Sequence, residues 1–366
     1  MPNPKQLRIL ELLRADHSLT QQDLADELNL SRSAVANLIT GLTQEGYIIG
    51  RAYILADDPT PPILCIGGMN LDTKLVLDQA LHLGTSNPVH ASHSPGGVIR
   101  NVAENLSRLE HRISLLSVVG DDAAGRTLLD HASTLMDVSL VDVIPGSTSG
   151  AYQAVIDPQG DMVIGLADMD IMERMDAVWI RKYKPQLKAA KRWIADNNLP
   201  QQTLAELCEL AQKMNKPLAV VGVSAPKTAR LPKDLHGIDL AIFNRDETQA
   251  AFHTTETDPQ VLVGHWLKTG VNQAVVTAGI DGVAYGAADG TTGFCPVRAA
   301  PHVADATGAG DAFSAGLIHG LDLNQSLTEA VKLGMANAYY TIQTLDSVRK
   351  DLSPNRLTTD KEHLYD

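Results

Sequence analysis

The sequence predicts an α/β fold, a doubly wound and mostly parallel sheet, preceded by a small α+β unit. Three observations carry that expectation. Short apolar runs such as Ile63-Leu64-Cys65-Ile66 and Leu240-Ala241-Ile242-Phe243 end in Gly or Asn and alternate with helix-spaced stretches, as strands joined by crossover helices do. The stiff polar segment Asp57-Asp58-Pro59-Thr60-Pro61-Pro62 separates an N-terminal part from the rest. Near the far end, Asp305-Ala306-Thr307-Gly308-Ala309-Gly310-Asp311 sets small residues directly before the helix face Phe313, Leu317, Ile318, Leu321. The expected organisation is a small unit at 1–56, a linker at 57–62, a large α/β domain at 63–352 and a C-terminal tail at 353–366.

Length and composition agree. A chain of 366 residues with 44% hydrophobic content can bury two or three ordinary cores. Cys65, Cys208 and Cys295 show no metal-ligand spacing, which predicts buried thiols in a reducing compartment and a cytoplasmic protein. No run of about 18 apolar residues occurs, so no membrane partner is expected. The formal charge of −13 argues against broad adhesion to nucleic acid and leaves only a local contact.

In the first unit, Leu7, Leu10 and Leu13 fit one helix face, and Thr20-Gln21-Gln22-Asp23 has the form of a capping box opening a second helix. Ser31 caps a third helix carrying Val35, Leu38, Ile39 and Leu42. The segment from Gly46 to Leu55 alternates around glycines like a hairpin, so the unit resembles a winged helix-turn-helix domain. Its expected DNA contacts are Ser31, Arg32, Ser33 and Asn37 on the third helix and Arg51 on the wing. Five basic against six acidic residues in this unit leave a helical dimerisation or regulatory module as the alternative.

In the second unit the first strand is followed by Asn70 and Asp72, placed where ligands meet the carboxyl ends of strands. Taken alone, that pair is equally an Asx turn. Gly96 and Gly97 form a close-approach pair before a helix with the stripe Val98, Val102, Leu106, Leu109, and Asn101 lies off the stripe. The glycines at 308–310 lack the G-K-[ST] of a Walker A loop. They are either an ordinary glycine-rich helix start or an anion cradle whose first-turn carboxylate, Asp311, can accept the proton of an attacking hydroxyl.

The nine-residue string from Asp305 to Phe313 resembles the C-terminal signature of the ribokinase (PfkB) family of sugar and nucleoside kinases. Gly96-Gly97-x-x-x-Asn101 and Val119-Gly120-x-Asp122-x-x-Gly125 are similar to its N-terminal turns, Asn244-x-x-Glu247 to its metal-organising motif, and Thr277-x-Gly279-x-x-Gly282 to its nucleotide turn. The resemblance spans roughly residues 62–352. It implies a ribokinase-like sheet with a small β lid from segments near 72–93 and 147–170, and a kinase using ATP and Mg²⁺. Asp311 is then the base, and Gly308, Ala309 and Gly310 the anion hole. Asn70, Asp72, Gly96, Gly97, Asn101 and Asp168 hold the substrate, while Asn244, Thr277, Gly279, Gly282 and Asn337 line the nucleotide site. Glu247 and Asn244 organise Mg²⁺, and Asp305 with Thr307 binds K⁺. Lid pairing implies a homodimer.

One branch is closer. Ser86-Asn87-Pro88, Pro95-Gly96-Gly97-Val98-x-Arg100-Asn101, Thr148-Ser149-x-x-Tyr152 and Ala167-Asp168-Met169-Asp170-Ile171 are similar to bacterial pseudouridine kinases and their winged-helix-bearing relatives. Two positions depart: Val221-Gly222-Val223-Ser224 lacks the branch's Asp before V-S, and Ile242-Phe243-Asn244 replaces K-P-N. The expected activity is phosphorylation of the 5′-hydroxyl of a ribosyl compound, pseudouridine foremost. The alternatives are a kinase for another nucleoside or sugar, and a transcriptional regulator whose kinase-like domain senses such a ligand without turnover.

Overall fold

The computed structural model describes residues 2–16, 19–49 and 60–365. The chain divides into two compact units, 1–62 with 183–191, and 63–182 with 192–366.

Among the described residues of the first unit, its N-terminal segment forms α1 (Pro4–Ala15), α2 (Gln21–Leu28) and α3 (Arg32–Gln44). Each start is fixed by a side chain that satisfies an otherwise orphaned backbone N–H. The Asn3 side chain accepts from the Gln6 N–H, and Thr20 and Asp23 form a reciprocal capping box. Ser31 Oγ accepts from Ala34 N. Ile9, Leu10, Leu13, Leu24, Val35, Ile39 and Leu42 close a core of their own. Leu7, expected inside, is exposed, because the buried stripe of α1 runs through Ile9 instead. The wing from Gly50 to Leu55, including Arg51, and the linker as far as Pro59 lie outside the described residues.

The second unit holds two sheets. The larger has nine strands in the order β13-β12-β11-β10-β9-β8-β1-β4-β5. Its strands are β1 (Ile63–Ile66), β4 (Ile113–Gly120), β5 (Asp137–Ile144), β8 (Arg192–Asp196), β9 (Leu218–Val221), β10 (Leu240–Asn244), β11 (Gln273–Thr277), β12 (Val283–Ala287) and β13 (Thr292–Cys295). Pairing is parallel from β5 to β11, and the β11–β12 and β12–β13 pairs at the other edge are antiparallel. Strands β1, β4 and β9 are buried along their whole length, as continuous apolar runs in a sheet covered on both faces should be. The smaller sheet has the order β3-β2-β6-β7, from β2 (Asn70–Leu77), β3 (Val89–Gly96), β6 (Gly150–Ile156) and β7 (Met162–Asp168). It combines the two segments expected to form a lid.

Residues 353–366, expected as a tail, instead contain a helix, Pro354–Tyr365, whose Leu357 and Leu364 pack with Leu109, Leu333 and Leu352. Asp360 on that helix meets the buried Arg349 guanidinium at 2.6 Å. All three cysteines are free and buried. No helix among the described residues is long and apolar enough to cross a membrane.

Candidate active site

Parallel strands end together, so side chains at their carboxyl ends converge. At the ends of β9, β10 and β11 a cleft of about 590 Å³ opens, and helix Ala309–Asp322 points its N-terminus into it. Gly308 precedes that helix with φ +82, and a Cβ there would lie 2.2 Å from the Ser347 carbonyl oxygen, so only glycine fits. Ala309 N–H is taken by the Ala306 carbonyl and Ala312 N–H by that of Gly308, which leaves the N–H groups of Gly310 and Asp311, both part of the cleft wall, without an acceptor in the helix.

Asp311 is held by opposing influences. Burial pushes its carboxyl up to about 7, helped by the charges of Asp196 and Asp72, while the Asn101 amide and Arg100 pull the other way. Asn101 Nδ2 donates to Asp311 Oδ2 at 2.7 Å. The amide is oriented from behind: its Oδ1 accepts from Arg100, which is itself fixed by Glu104 at 2.5 Å and the Pro95 carbonyl at 2.9 Å. These residues belong to α4 (Val98–Arg108), whose face from Ile99 to Leu106 is buried throughout. Arg100 lies within the Pro95-to-Asn101 stretch, where nothing local distinguishes it from its neighbours. Asp196 was missed altogether; its one sequence signal is a carboxylate at the end of an apolar strand.

The small sheet brings the expected substrate residues beside this carboxylate. Asn70 Nδ2 donates to Asp72 Oδ1 at 2.6 Å, and burial raises the Asp72 pKa against that bond and the charges of Arg100 and Lys74. A Cβ on Gly96 would fall 2.2 Å from Asp72 Oδ2, and one on Gly97 (φ +101) 2.4 Å from the Gly68 carbonyl oxygen. Both glycines are therefore demanded by close approach. Asp168 stands exposed at the end of β7, in register with Ala151. Across β6, Tyr152 is in register with Asp72.

On the opposite wall, Asn244 and Glu247 form a reciprocal capping box: Asn244 Oδ1 accepts from Glu247 N, and Glu247 Oε2 from Asn244 N, both at 2.8 Å. Glu247 is buried, which raises its pKa. Gly222 makes room for it, since a Cβ there would lie 2.1 Å from Glu247 Oε2. Both unusual sequence stretches meet at this wall, where Val221 of β9 is the register partner of Ile242 of β10. An apolar pair occupies the strand ends. No cluster of three or more His, Cys, Asp or Glu able to hold a metal occurs among the described residues. A single buried carboxylate on the wall fits a divalent ion that arrives already bound to phosphates and water.

Thr277 and Gly279 line the cleft, whereas Gly282 (φ +106) closes the turn by accepting from Ala278 N at 2.8 Å. Asn337, expected beside a nucleobase, lies instead in the interior. It is fully buried, and its Nδ2 donates to Asn105 Oδ1 and the Ala312 carbonyl, both at 2.9 Å. Its helix, Leu327–Thr341, packs closely on helix Ala309–Asp322, which turns this side chain inward.

Asp305 and Thr307 differ most from expectation. Asp305 Oδ1 accepts the Thr307 N–H at 2.8 Å, and Oδ2 is paired with the Lys74 ammonium from β2. Burial works to raise the Asp305 pKa, but the bonds from Lys74 and Thr307 hold it below the usual carboxylate value. The Lys74 ammonium thus sits on the Asp305 carboxylate, the position expected for a potassium ion.

In the first unit, Ser31, Arg32, Ser33 and Asn37 are all exposed at the start and along one side of α3.

Compared with known proteins, residues 61–351 match the family described as pfkB family carbohydrate kinase, and residues 2–49 match winged helix-turn-helix DNA-binding. The chain is similar to the pseudouridine kinase of Escherichia coli (strain K12), 32% identical over 262 residues covering 70% of this chain and 82% of that one. It is also similar to the uncharacterized sugar kinase YeiI of the same strain, 28% identical over 340 residues and 92% of each chain. A carbohydrate kinase from Agrobacterium tumefaciens matches with a TM-score of 0.71 at 27% identity, covering 83% of this chain and 97% of that one.

Proposed function

Because the chain belongs to the pfkB family of carbohydrate kinases, we propose that it transfers a phosphoryl group from ATP to the 5′-hydroxyl of a ribosyl compound, pseudouridine foremost. One observation carries the proposal: Asp311 lies in the first turn of a helix pointing into the cleft, with a pKa of about 7 and the Asn101 amide 2.7 Å away. A carboxylate with that proton affinity can take the proton of a primary hydroxyl as the oxygen attacks. The N–H groups of Gly310 and Asp311 in the same turn meet the charge that develops on the transferred phosphoryl group. Asp72 and Asn101 bind ribose hydroxyls, with Gly96 and Gly97 admitting the ring. Thr277 and Gly279 line the nucleotide side. ATP supplies the phosphoryl group and Mg²⁺ neutralises its oxygens when bound, with Glu247 and Asn244 on the wall where the metal would be organised.

Pseudouridine is favoured over other acceptors because its kinase is among the relatives, and because the branch-specific stretches gather on the small sheet. Residues 95–96 end β3, Tyr152 lies on β6, and 167–168 end β7. That sheet is the lid over the sugar, and Asp168 at its rim is placed to read the base edge. The exposed apolar side chains of β7, Met162, Val163 and Leu166, support pairing of lids in a homodimer. Three buried, unpaired thiols are in keeping with action in the cytoplasm. The first unit binds DNA through α3 and regulates genes for the same substrate's use. ATP turnover against a panel of nucleosides and sugars tests the assignment. A higher kcat/KM for uridine, inosine or ribose than for pseudouridine removes the substrate assignment, and no turnover with any acceptor favours a sensor without catalysis.

A further inference from the structure

We infer that Lys74 replaces a soluble monovalent cation at Asp305, so that the anion cradle is completed by the small sheet's own ammonium group and the enzyme needs no potassium. The inference rests on the kinase assignment above and concerns a positioning residue. Asn70, Asp72 and Lys74 alternate along β2 and so share one face of the strand. Asn70 and Asp72 hydrogen-bond each other on that face, and Lys74 extends the row to the loop before Asp311.

Asp305 shapes that loop. Its Oδ1 holds the Thr307 N–H, the next residue, Gly308, turns left-handed against the Ser347 carbonyl, and the helix begins at Ala309. The chain thus needs a carboxylate here for its geometry. Six residues before Asp311, however, its negative charge opposes the charge of a phosphoryl group at the helix N-terminus. A cation at Asp305 removes that penalty. The cation present is Lys74 Nζ, with about a third of its side chain still exposed and that of Asp305 only 17% exposed. A dissolved ion would have to displace a tethered ammonium whose effective concentration is set by the strand that carries it.

Position makes this more than charge balance. Lys74 belongs to the four-stranded sheet, whereas Asp305 leads into a helix on the nine-stranded one. The ion pair therefore forms only while the small sheet lies over the site. Ordering of the cradle is thereby tied to coverage of the substrate, so that the helix N-terminus is fully set only when water is excluded.

The test compares wild type, Lys74→Met and Lys74→Arg in potassium and in N-methyl-D-glucammonium chloride at equal ionic strength, by turnover and by thermal melting. Wild-type kcat/KM and melting temperature should be the same in both salts. Lys74→Met should lose about tenfold or more in the organic salt, by analogy with removal of one charge-stabilising group. Potassium should restore part of that loss and raise the variant's melting temperature, and Lys74→Arg should lose less. A several-fold gain of the wild type in potassium overturns the inference. So does a Lys74→Met variant that keeps wild-type turnover in the organic salt, or one whose deficit and melting temperature ignore potassium. If no acceptor is turned over, the kinase assignment fails while the melting comparison still decides the role of Lys74.

Discussion

Asp311 carries two predictions at the scale of single residues. Asp311→Asn removes the proposed proton acceptor with almost no change of shape, so kcat should fall by about 10²- to 10⁴-fold while nucleotide and acceptor binding stay within a few-fold. Single-turnover kinetics with calorimetric binding would check this, and a variant keeping more than about a tenth of wild-type kcat would exclude Asp311 as the base. The second concerns pH. Burial raises this carboxyl from 3.8 to about 7, so the folded state binds its proton more tightly than the unfolded chain does. The resulting stability is fully present below the unfolded value and is lost as pH rises through the folded one. Asp311→Asn should therefore melt higher than wild type above pH 7, with the gap closing toward pH 4. In the wild type, kcat/KM should fall on the acid side of a limb near pH 7. Gly222 gives a third prediction. A methyl group 2.1 Å from Glu247 Oε2 must displace a buried carboxylate that accepts the Asn244 N–H. Gly222→Ala should cost about 1–3 kcal/mol in denaturant unfolding through overpacking. It should also raise the Mg²⁺ concentration needed for half-maximal rate. An unchanged requirement would separate Glu247 from metal organisation.

At the scale of elements, α3 is the informative one. Its inner face, Val35, Ile39 and Leu42, is committed to the core of the first unit, and its outer side presents Arg32, Ser33 and Asn37 to solvent. An exposed arginine beside the Ser31 cap has no packing role to lose. Arg32→Ala should leave the melting temperature unchanged and weaken specific DNA binding by about 1–3 kcal/mol if the guanidinium reads a guanine. Fluorescence anisotropy on the cognate promoter would report it. Equal weakening on unrelated DNA would make Arg32 a phosphate contact instead.

For the whole molecule, the two units have separate hydrophobic cores, so phosphoryl transfer and DNA binding should be separable by mutation. Asp311→Asn should still shift promoter DNA, and Arg32→Ala should still turn over substrate. With about as many acidic as basic residues in the first unit, one copy neutralises few phosphates. Full-length protein should therefore bind DNA as a dimer, with a shallow dependence on salt. The absence of any salt-dependent shift, with or without nucleoside, would make the first unit a dimerisation module.

Local signals were enough to determine much of this protein. Strand alternation pointed to the α/β fold, and capping side chains at Thr20 and Ser31 marked helix starts. The Gly-rich stretch before Asp311 marked the helix that enters the cleft. These features are encoded within a few residues of chain, where composition and periodicity act directly. What only the tertiary structure decided depends on distant residues meeting. Lys74 faces Asp305 across 231 positions, and Asn337 turns inward to Asn105 across 232. Val221 and Ile242, separate oddities in the sequence, become neighbours because β9 and β10 pair in parallel. The C-terminal helix likewise became visible as part of the domain only through the surface that receives Leu357 and Leu364. A side chain's role at such places is set by burial and by its partner, and neither is written in its own stretch of sequence.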